Sequence, residues 1–242
     1  MLSDKQYEFK KEELDFYLKE LAKEYKKHGG AKMPAELILI GGASVLVNYG
    51  FRSMTTDIDA LIHAASCMKD SIDRVADKYD LPYGWINEDF KRTDSYSDRI
   101  VQFSVHYRTF SNVLDVRTVT AEYLIAMKLR SGRQYKNDLS DVLGILAEQE
   151  KIGKPISFDQ IKKAVRDLYG EWNILPDISR DYIEKVFKDG NFEKLYYDAV
   201  VMEKESKDIL IEYLNDEHGS INKTNANEIL QMLKKRSNDG SL

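Results

Sequence analysis

The stretch Leu37-Ile-Leu-Ile-Gly-Gly-Ala-Ser44, followed by Thr56-Asp-Ile-Asp-Ala-Leu-Ile62, constrains this chain more than any other. Residues 36–40 are apolar and rich in β-formers, and read as a buried strand. Gly41 and Gly42 break that strand, and Ala43 to Val47 read as the opening turns of a helix. Residues 56–62 read as a second strand. Successive side chains on a strand point to opposite faces, so Asp57 and Asp59 share one face while Ile58 enters the core. Two carboxylates on one strand face repel each other unless a cation lies between them. Hard divalent ions such as Mg2+ take such oxygen ligands, usually together with phosphate oxygens. A glycine turn that opens a helix offers free backbone N–H groups and the positive end of the helix dipole to an anion. A phosphate seat beside a metal seat points to nucleoside triphosphate chemistry.

The 242 residues have room for one large domain or two small ones. With 41 acidic against 36 basic residues, the formal charge is -5. That balance argues against broad, non-specific nucleic-acid binding and leaves a local basic patch open. Cys67 is the single cysteine, which excludes an intrachain disulfide and a cysteine-based zinc site. The histidines (His28, His63, His106 and His218) are far apart in sequence. The polar, charged start is unlike a signal peptide, and the apolar run around 35–47 is short and broken by glycines. A cytoplasmic protein without a membrane span is therefore expected.

Residues 5–27 place Phe9, Leu14, Tyr17, Leu18, Leu21 and Tyr25 at helical spacing, ended by His28-Gly29-Gly30. Ser66–Lys78 reads as a helix, and 81–99, with Pro82 and Gly84, as a loop. Ile100–Tyr107 alternates Val101, Phe103 and Val105 with Gln102, Ser104 and His106, the pattern of a strand. Asn112–Val119 reads as another, with Leu114 and Val116 on one face and Asp115 and Arg117 on the other. Thr120 is placed to cap a helix through Arg130, closed by Gly132, and Asn137 or Asp138 to cap the next, through Glu148. After Gly153-Lys154-Pro155 the β pattern ends, and 157–169, 177–188, 190–214 and 224–236 show helical periodicity. The expected fold is α+β: a mixed sheet flanked by helices over residues 1–152, then an all-helical region over 153–242.

Ile40, Gly41, Gly42 and then Asp57-Ile58-Asp59 resemble the signature of the minimal nucleotidyltransferase superfamily, the fold of DNA polymerase β. That signature is an apolar residue, Gly, then Gly or Ser, and after a short helix an Asp-x-Asp strand; the spacing here is slightly longer than typical. Gly50-Phe-Arg-Ser-Met-Thr-Thr-Asp-Ile-Asp59 is similar to the Gly-x-Arg-x-x-Thr-x-Asp-x-Asp form of bacterial proteins related to the toxin of the AbiE abortive-infection system. Glu122 to Lys128-Leu, Arg133, and Lys136-Asn-Asp138-Leu-Ser-Asp141 resemble the Leu-Ala-x-Lys-Leu … Arg … Lys-Asp-x-x-Asp block of the same proteins. The resemblance covers roughly residues 36–150. It speaks to fold more than to substrate, because one fold hosts many functions.

The resemblance implies that Asp57 and Asp59 hold Mg2+ bridging the triphosphate of a bound NTP. It implies that Gly41 and Gly42 admit the phosphates, and that Lys128 contacts phosphate or substrate. Asp115 would complete the metal site and take the proton of the attacking hydroxyl. Read as ordinary structure, the same residues are turn-proximal acids, a tight strand-to-helix turn, a solvent-facing Asp115 paired with Arg117, and a snorkelling Lys128. Ser44 offers its hydroxyl to a phosphate or caps its own helix, and Arg52 and Thr55 are placed to orient the metal-site loop. Arg130 and Arg133 assist or serve a helix C-terminus, while Asp138 and Asp141 read rather as N-cap and first-turn acids. The implied activity is transfer of an NMP to a hydroxyl of RNA or protein, in a toxin or defence role with an antitoxin partner. The alternatives are a small-molecule acceptor, as in antibiotic nucleotidyltransferases, and a catalytically inactive nucleotide-binding module that forms a homodimer or binds a partner. The place of Asp115 separates them, because a distant Asp115 leaves catalysis without its base.

Overall fold

The computed structural model describes residues 7–216, 221 and 225–238; His218 and the end of the polar tail lie outside them. Two compact units divide the chain, one of Met1–Met127 and Asp159–Trp172, the other of Lys128–Phe158 and Asn173–Leu242. The chain therefore changes unit at 127/128, 158/159 and 172/173 rather than at one point near residue 152. The end of the β pattern marks a change of secondary structure, whereas unit membership is set by side-chain partners distant in sequence.

The first unit holds α1 (Lys11–Lys27), β1 (Ala35–Leu39), α2 (Gly41–Asn48), β2 (Ile58–His63), α3 (Cys67–Tyr79), β3 (Ile86–Asn87), β4 (Ser104–Phe110), β5 (Leu114–Val119) and the start of α4 (Ala121–Ser131). Nearly all of α6 (Phe158–Tyr169) joins it as well. Tyr123 on α4 donates its hydroxyl to Asp167 at 2.6 Å, Ser97 donates to the Leu168 carbonyl at 2.8 Å, and Tyr169 donates to the Ser95 carbonyl at 2.8 Å.

The strand order is β3-β2-β1-β5-β4. β1 runs antiparallel to β2 and parallel to β5; β2 and β3 are parallel, β4 and β5 antiparallel. This mixed sheet with flanking helices is the expected α+β class. Strand alternation sends Leu37, Leu39, Ile58, Ala60, Leu114 and Val116 to one face, where they share a core with Leu14, Leu18 and Leu21 of α1 and Ile72 and Val75 of α3. Burying each such side chain contributes about 1.5–3 kcal/mol. The other face of β1 carries Glu36, Ile38 and Ile40.

Three local expectations change. The first helix starts at Lys11, not near residue 5, because Phe9 pairs with Thr55 in an antiparallel bridge. Asp98–Phe103 forms a 3-10 turn, its start held by the Ser97 hydroxyl accepting from Arg99 N–H, so β4 begins only at Ser104. β4 is an edge strand with a register shift between His106 and Arg108, and Val101 and Val105 are exposed rather than inward. Ser111 and Asn112, with φ of 52° and 56°, make the tight turn from β4 to β5 that right-twisted hairpins favour. Thr120 precedes α4, but its hydroxyl is buried with no hydrogen-bond partner and caps nothing. Gly132 closes α4 as expected, with φ of 57° and its N–H donating to the Lys128 carbonyl at 2.9 Å.

Among the described residues the second unit is helical: α5 (Asp138–Lys151), α7 (Asp177–Asp189), α8 (Phe192–Asp216) and α9 (Ala226–Asn238). Asn137 stands at the N-cap of α5, but its side chain makes no capping bond. The cap comes from α8: Glu203 Oε1 accepts from Leu139 N–H at 2.8 Å and Ser140 N–H at 3.3 Å. Glu203 is buried and its Oε2 has no partner. Burial pushes its carboxyl up to about 7, against the bonds from Ser140 and Leu139 that pull it down, with Asp141 adding to the rise. A carboxyl raised on folding stabilises fully below its ordinary value near 4.5 and loses that contribution as pH rises through about 7. Wild-type protein is therefore expected to lose about 2–3 kcal/mol of this contribution between pH 5 and 8. Glu203→Gln, which keeps an acceptor for the two N–H groups, should lack that decline. Urea midpoints of both proteins at the two pH values measure it, and parallel pH profiles would refute it. Among the described residues no helix is long and apolar enough to cross a membrane.

Candidate active site

The end of β1 and the start of β2 lie side by side, because Ile40 N–H donates to the Asp59 carbonyl at 2.9 Å. The next residue, Gly41, opens α2 with φ of 55°, in the left-handed region that glycine enters without strain. A Cβ on Gly41 would lie 3.6 Å from Asp59 Oδ2. A Cβ on Gly42 would lie 2.6 Å from Thr55 Oγ1 and 2.8 Å from Arg52 Nη2. A side chain at residue 42 would displace the Thr55 hydroxyl or the Arg52 guanidinium. The structure thus gathers Gly41, Gly42, Arg52, Thr55 and Asp59 at one end of the sheet.

Local sequence explains the arrangement. Ile58 is fully buried in the core, so its neighbours Asp57 and Asp59 turn away from it; Asp57 is exposed and Asp59 half-buried. Arg52 donates from Nε to the Met54 carbonyl at 2.9 Å. Thr55 is 1% exposed and donates its hydroxyl to the Asp57 carbonyl at 3.1 Å. Ser44, further along α2, is fully buried, and its Oγ has no hydrogen-bond partner within the protein. A buried hydroxyl left unpaired costs about 1–3 kcal/mol, and so marks a position where a further polar partner would be gained.

The expected third carboxylate does not join this group. Asp115 pairs in register with Glu36 on β1, whereas Asp59 stands beside Ile40, four residues further along the strand. At about 3.3 Å per residue, that is about 13 Å away along the sheet. Extending the register puts Val119, not an acid, at the level of Ile40. Asp115 is engaged where it stands: His106 Nδ1 lies 2.7 Å from Oδ1, the Thr109 hydroxyl donates to the same oxygen at 3.0 Å, and Arg117 Nη1 lies 4.0 Å from Oδ2. His63 is at this same end, 3.1 Å from Glu36. Face parity was legible in the sequence; the position along the strand was not. Among the described residues, no group of three or more His, Cys, Asp or Glu is placed to hold a metal ion.

Lys128 belongs to the second unit, and its surroundings there are ionic. Its Nζ is 2.9 Å from Asp138 Oδ1 and 2.7 Å from Asp141 Oδ2, and all three residues are buried. Arg133 reaches Asp138 through Nε at 2.8 Å and Nη2 at 3.1 Å. Burial alone would raise the Asp138 carboxyl; Lys128 and Arg133 outweigh it and hold the group well below the ordinary carboxylate range. Asp138 and Asp141 do fall in the first turn of α5, but their carboxylates serve Lys128.

No curated protein and no solved structure matches the chain. A family model described as "Nucleotidyltransferase of unknown function (DUF6036)" matches residues 17–189, a span that contains the diglycine turn, the acidic strand and the Lys128 cluster. With the match covering well over half of the chain and the glycine–carboxylate arrangement lying inside it, the protein belongs to this nucleotidyltransferase family.

Proposed function

We propose that the protein is a Mg2+-dependent nucleotidyltransferase that moves an NMP from an NTP to a hydroxyl of RNA or protein. One observation supports this above the rest: the Gly41-Gly42 bend abuts the Asp59 carboxylate, the Arg52 guanidinium and Thr55. Phosphates need close backbone approach and a cation, and this end of the sheet offers both. Two carboxylates fit an Mg2+ that arrives with the phosphates of a nucleotide, the usual way this ion is held, better than a free-standing metal centre. Asp57 and Asp59 would hold that ion, which supplies neutralisation of charge on the reacting phosphate. The N–H groups opening α2 would receive the triphosphate, while the fully buried Ser44 would act from behind them rather than touch it. In the transfer, the acceptor oxygen bonds to the α-phosphorus, the bond to the pyrophosphate oxygen breaks, and the hydroxyl proton passes to solvent water.

The likeness of residues 50–59 and 122–141 to AbiE-type toxins supports an RNA or protein acceptor, a defence role, a cytoplasmic setting and an antitoxin partner. The place of Asp115 supports a second reading, a module that binds nucleotide without transferring it, because β5 brings Val119 rather than Asp115 level with Asp59.

The test is incubation with α-labelled NTPs and Mg2+, offering total RNA, cell protein and aminoglycosides as acceptors. Label on RNA or protein with wild type, and none with Asp57→Asn/Asp59→Asn, is the expected result. Label on aminoglycosides alone would replace the acceptor class. Bound nucleotide without transfer to any acceptor would establish the second reading, and neither binding nor transfer would end both.

A further inference from the structure

The family match begins at residue 17, yet a segment before α1 is built into the candidate site. Phe9 N–H donates to the Thr55 carbonyl at 2.7 Å, and Thr55 N–H donates to the Phe9 carbonyl at 3.0 Å. Phe9 is fully buried, with ring centroids 4.6 Å from Tyr7, 6.1 Å from Tyr17 and 6.2 Å from Trp85. Trp85 is itself held by its indole N–H, which donates to the Ile72 carbonyl at 3.2 Å. The Tyr7 and Tyr17 hydroxyls meet at 2.7 Å. One side of this bridge is thus anchored in the core beneath the sheet.

Its other side is the loop from Gly50 to Asp57, whose one element of regular pairing is the bridge at Thr55. A loop of that length retains much backbone freedom unless it is pinned. The pin passes directly to the site, because the Thr55 hydroxyl donates to the Asp57 carbonyl and stands against Gly42. Thr55 is too buried to act chiefly as a ligand contact.

We propose that Phe9 is a positioning residue: its bridge to Thr55 sets the Arg52–Asp57 loop against the diglycine turn before a nucleotide arrives. What the loop binds rests on the nucleotidyltransferase reading; the coupling of Phe9 to the loop does not. Ordering the loop in advance removes that cost from binding. Phe9 precedes the matched family region, whereas its partner Thr55 lies within it.

The experiment uses the full chain and four variants: Phe9→Ala, Phe9→Leu, Thr55→Val and Thr55→Ser. Hydrogen exchange at the Thr55 amide, thermal melting and calorimetric binding of Mg–ATP are measured for each. Phe9→Ala should speed Thr55 exchange at least about tenfold while the β1 amides stay protected, and Phe9→Leu should restore most of the protection. Phe9→Ala and Thr55→Val should weaken Mg–ATP at least about tenfold, and Thr55→Ser should recover most of that loss without a matching change in melting temperature. A folded Phe9→Ala with wild-type exchange at Thr55, or with undiminished affinity, overturns the proposal. Should Phe9→Ala not fold, the Thr55→Val and Thr55→Ser pair decides, equal affinities counting against it. If wild type binds no nucleotide, the functional reading fails, and the exchange results still show separately whether Phe9 governs the loop.

Discussion

Lys128→Met should cost the protein about 3–5 kcal/mol of folding stability, the range for removing one partner of a buried ion pair. The ammonium lies between two buried carboxylates, at 2.9 Å from Asp138 and 2.7 Å from Asp141. Taking it away keeps both negative charges in a low-dielectric setting and next to each other, which is worse than never having buried them. Arg133 still holds Asp138 through two nitrogens, which keeps the loss at the lower part of the range. Urea unfolding followed by circular dichroism measures it, and a loss under about 1 kcal/mol would contradict the argument. Lys128→Met/Asp141→Leu should recover part of the loss, because it removes one stranded charge with its partner. The sign with pH follows from the lowered Asp138 carboxyl. Its contribution is present above the ordinary value of 3.8 and declines as pH falls below it. Lost activity in a Lys128 variant therefore has to be compared with its melting temperature before Lys128 is given a role toward phosphate.

Asp59→Asn should lower nucleotidyl transfer at least about 100-fold while leaving the fold intact. Outer-shell partners of metal ligands already cost 10–100-fold when replaced, and Asp59 is proposed as a ligand itself. The structural price is small for a stated reason. Asp59 is held in β2 through its backbone, by Ile40 on one side and β3 on the other, and its half-buried carboxylate is not part of the core. Asp59→Asn should lose the stabilisation that Mg–ATP confers on wild type. Transfer within about threefold of wild type would remove Asp59 from the site and take the two-carboxylate account with it.

Much of the architecture was written in short-range pattern. The apolar, β-prone run ending at Ile40, the glycine bend, and the alternation of Asp57 and Asp59 about Ile58 each depend on a few adjacent residues. Gly132 as a helix stop and the helical periodicity after residue 157 are equally local. The edge strand is instructive in the opposite sense. Val101, Phe103 and Val105 alternate as a buried strand would, yet Val101 falls in the 3-10 turn, Val105 lies on the edge strand, and both are exposed. Alternation reports which residues share a face; what covers the face depends on the rest of the fold. Phe9 was missed for a similar reason. Its spacing to Leu14 and Tyr17 fits a helix, and its true partner, Thr55, is remote in sequence.

The chain's own order of residues determined that a strand meets a diglycine bend and that a paired-acid strand follows, because steric limits on φ and the strand repeat act over a few residues. Tertiary structure decided that Asp115 stands at the far end of the sheet, that Lys128 is spent on Asp138 and Asp141, and that Glu203 caps α5. Each of these depends on register or on a partner many residues away. Side-chain alternation is the same for every register of like parity, and a carboxylate looks alike in sequence whether it meets an ammonium, a helix end or a metal ion.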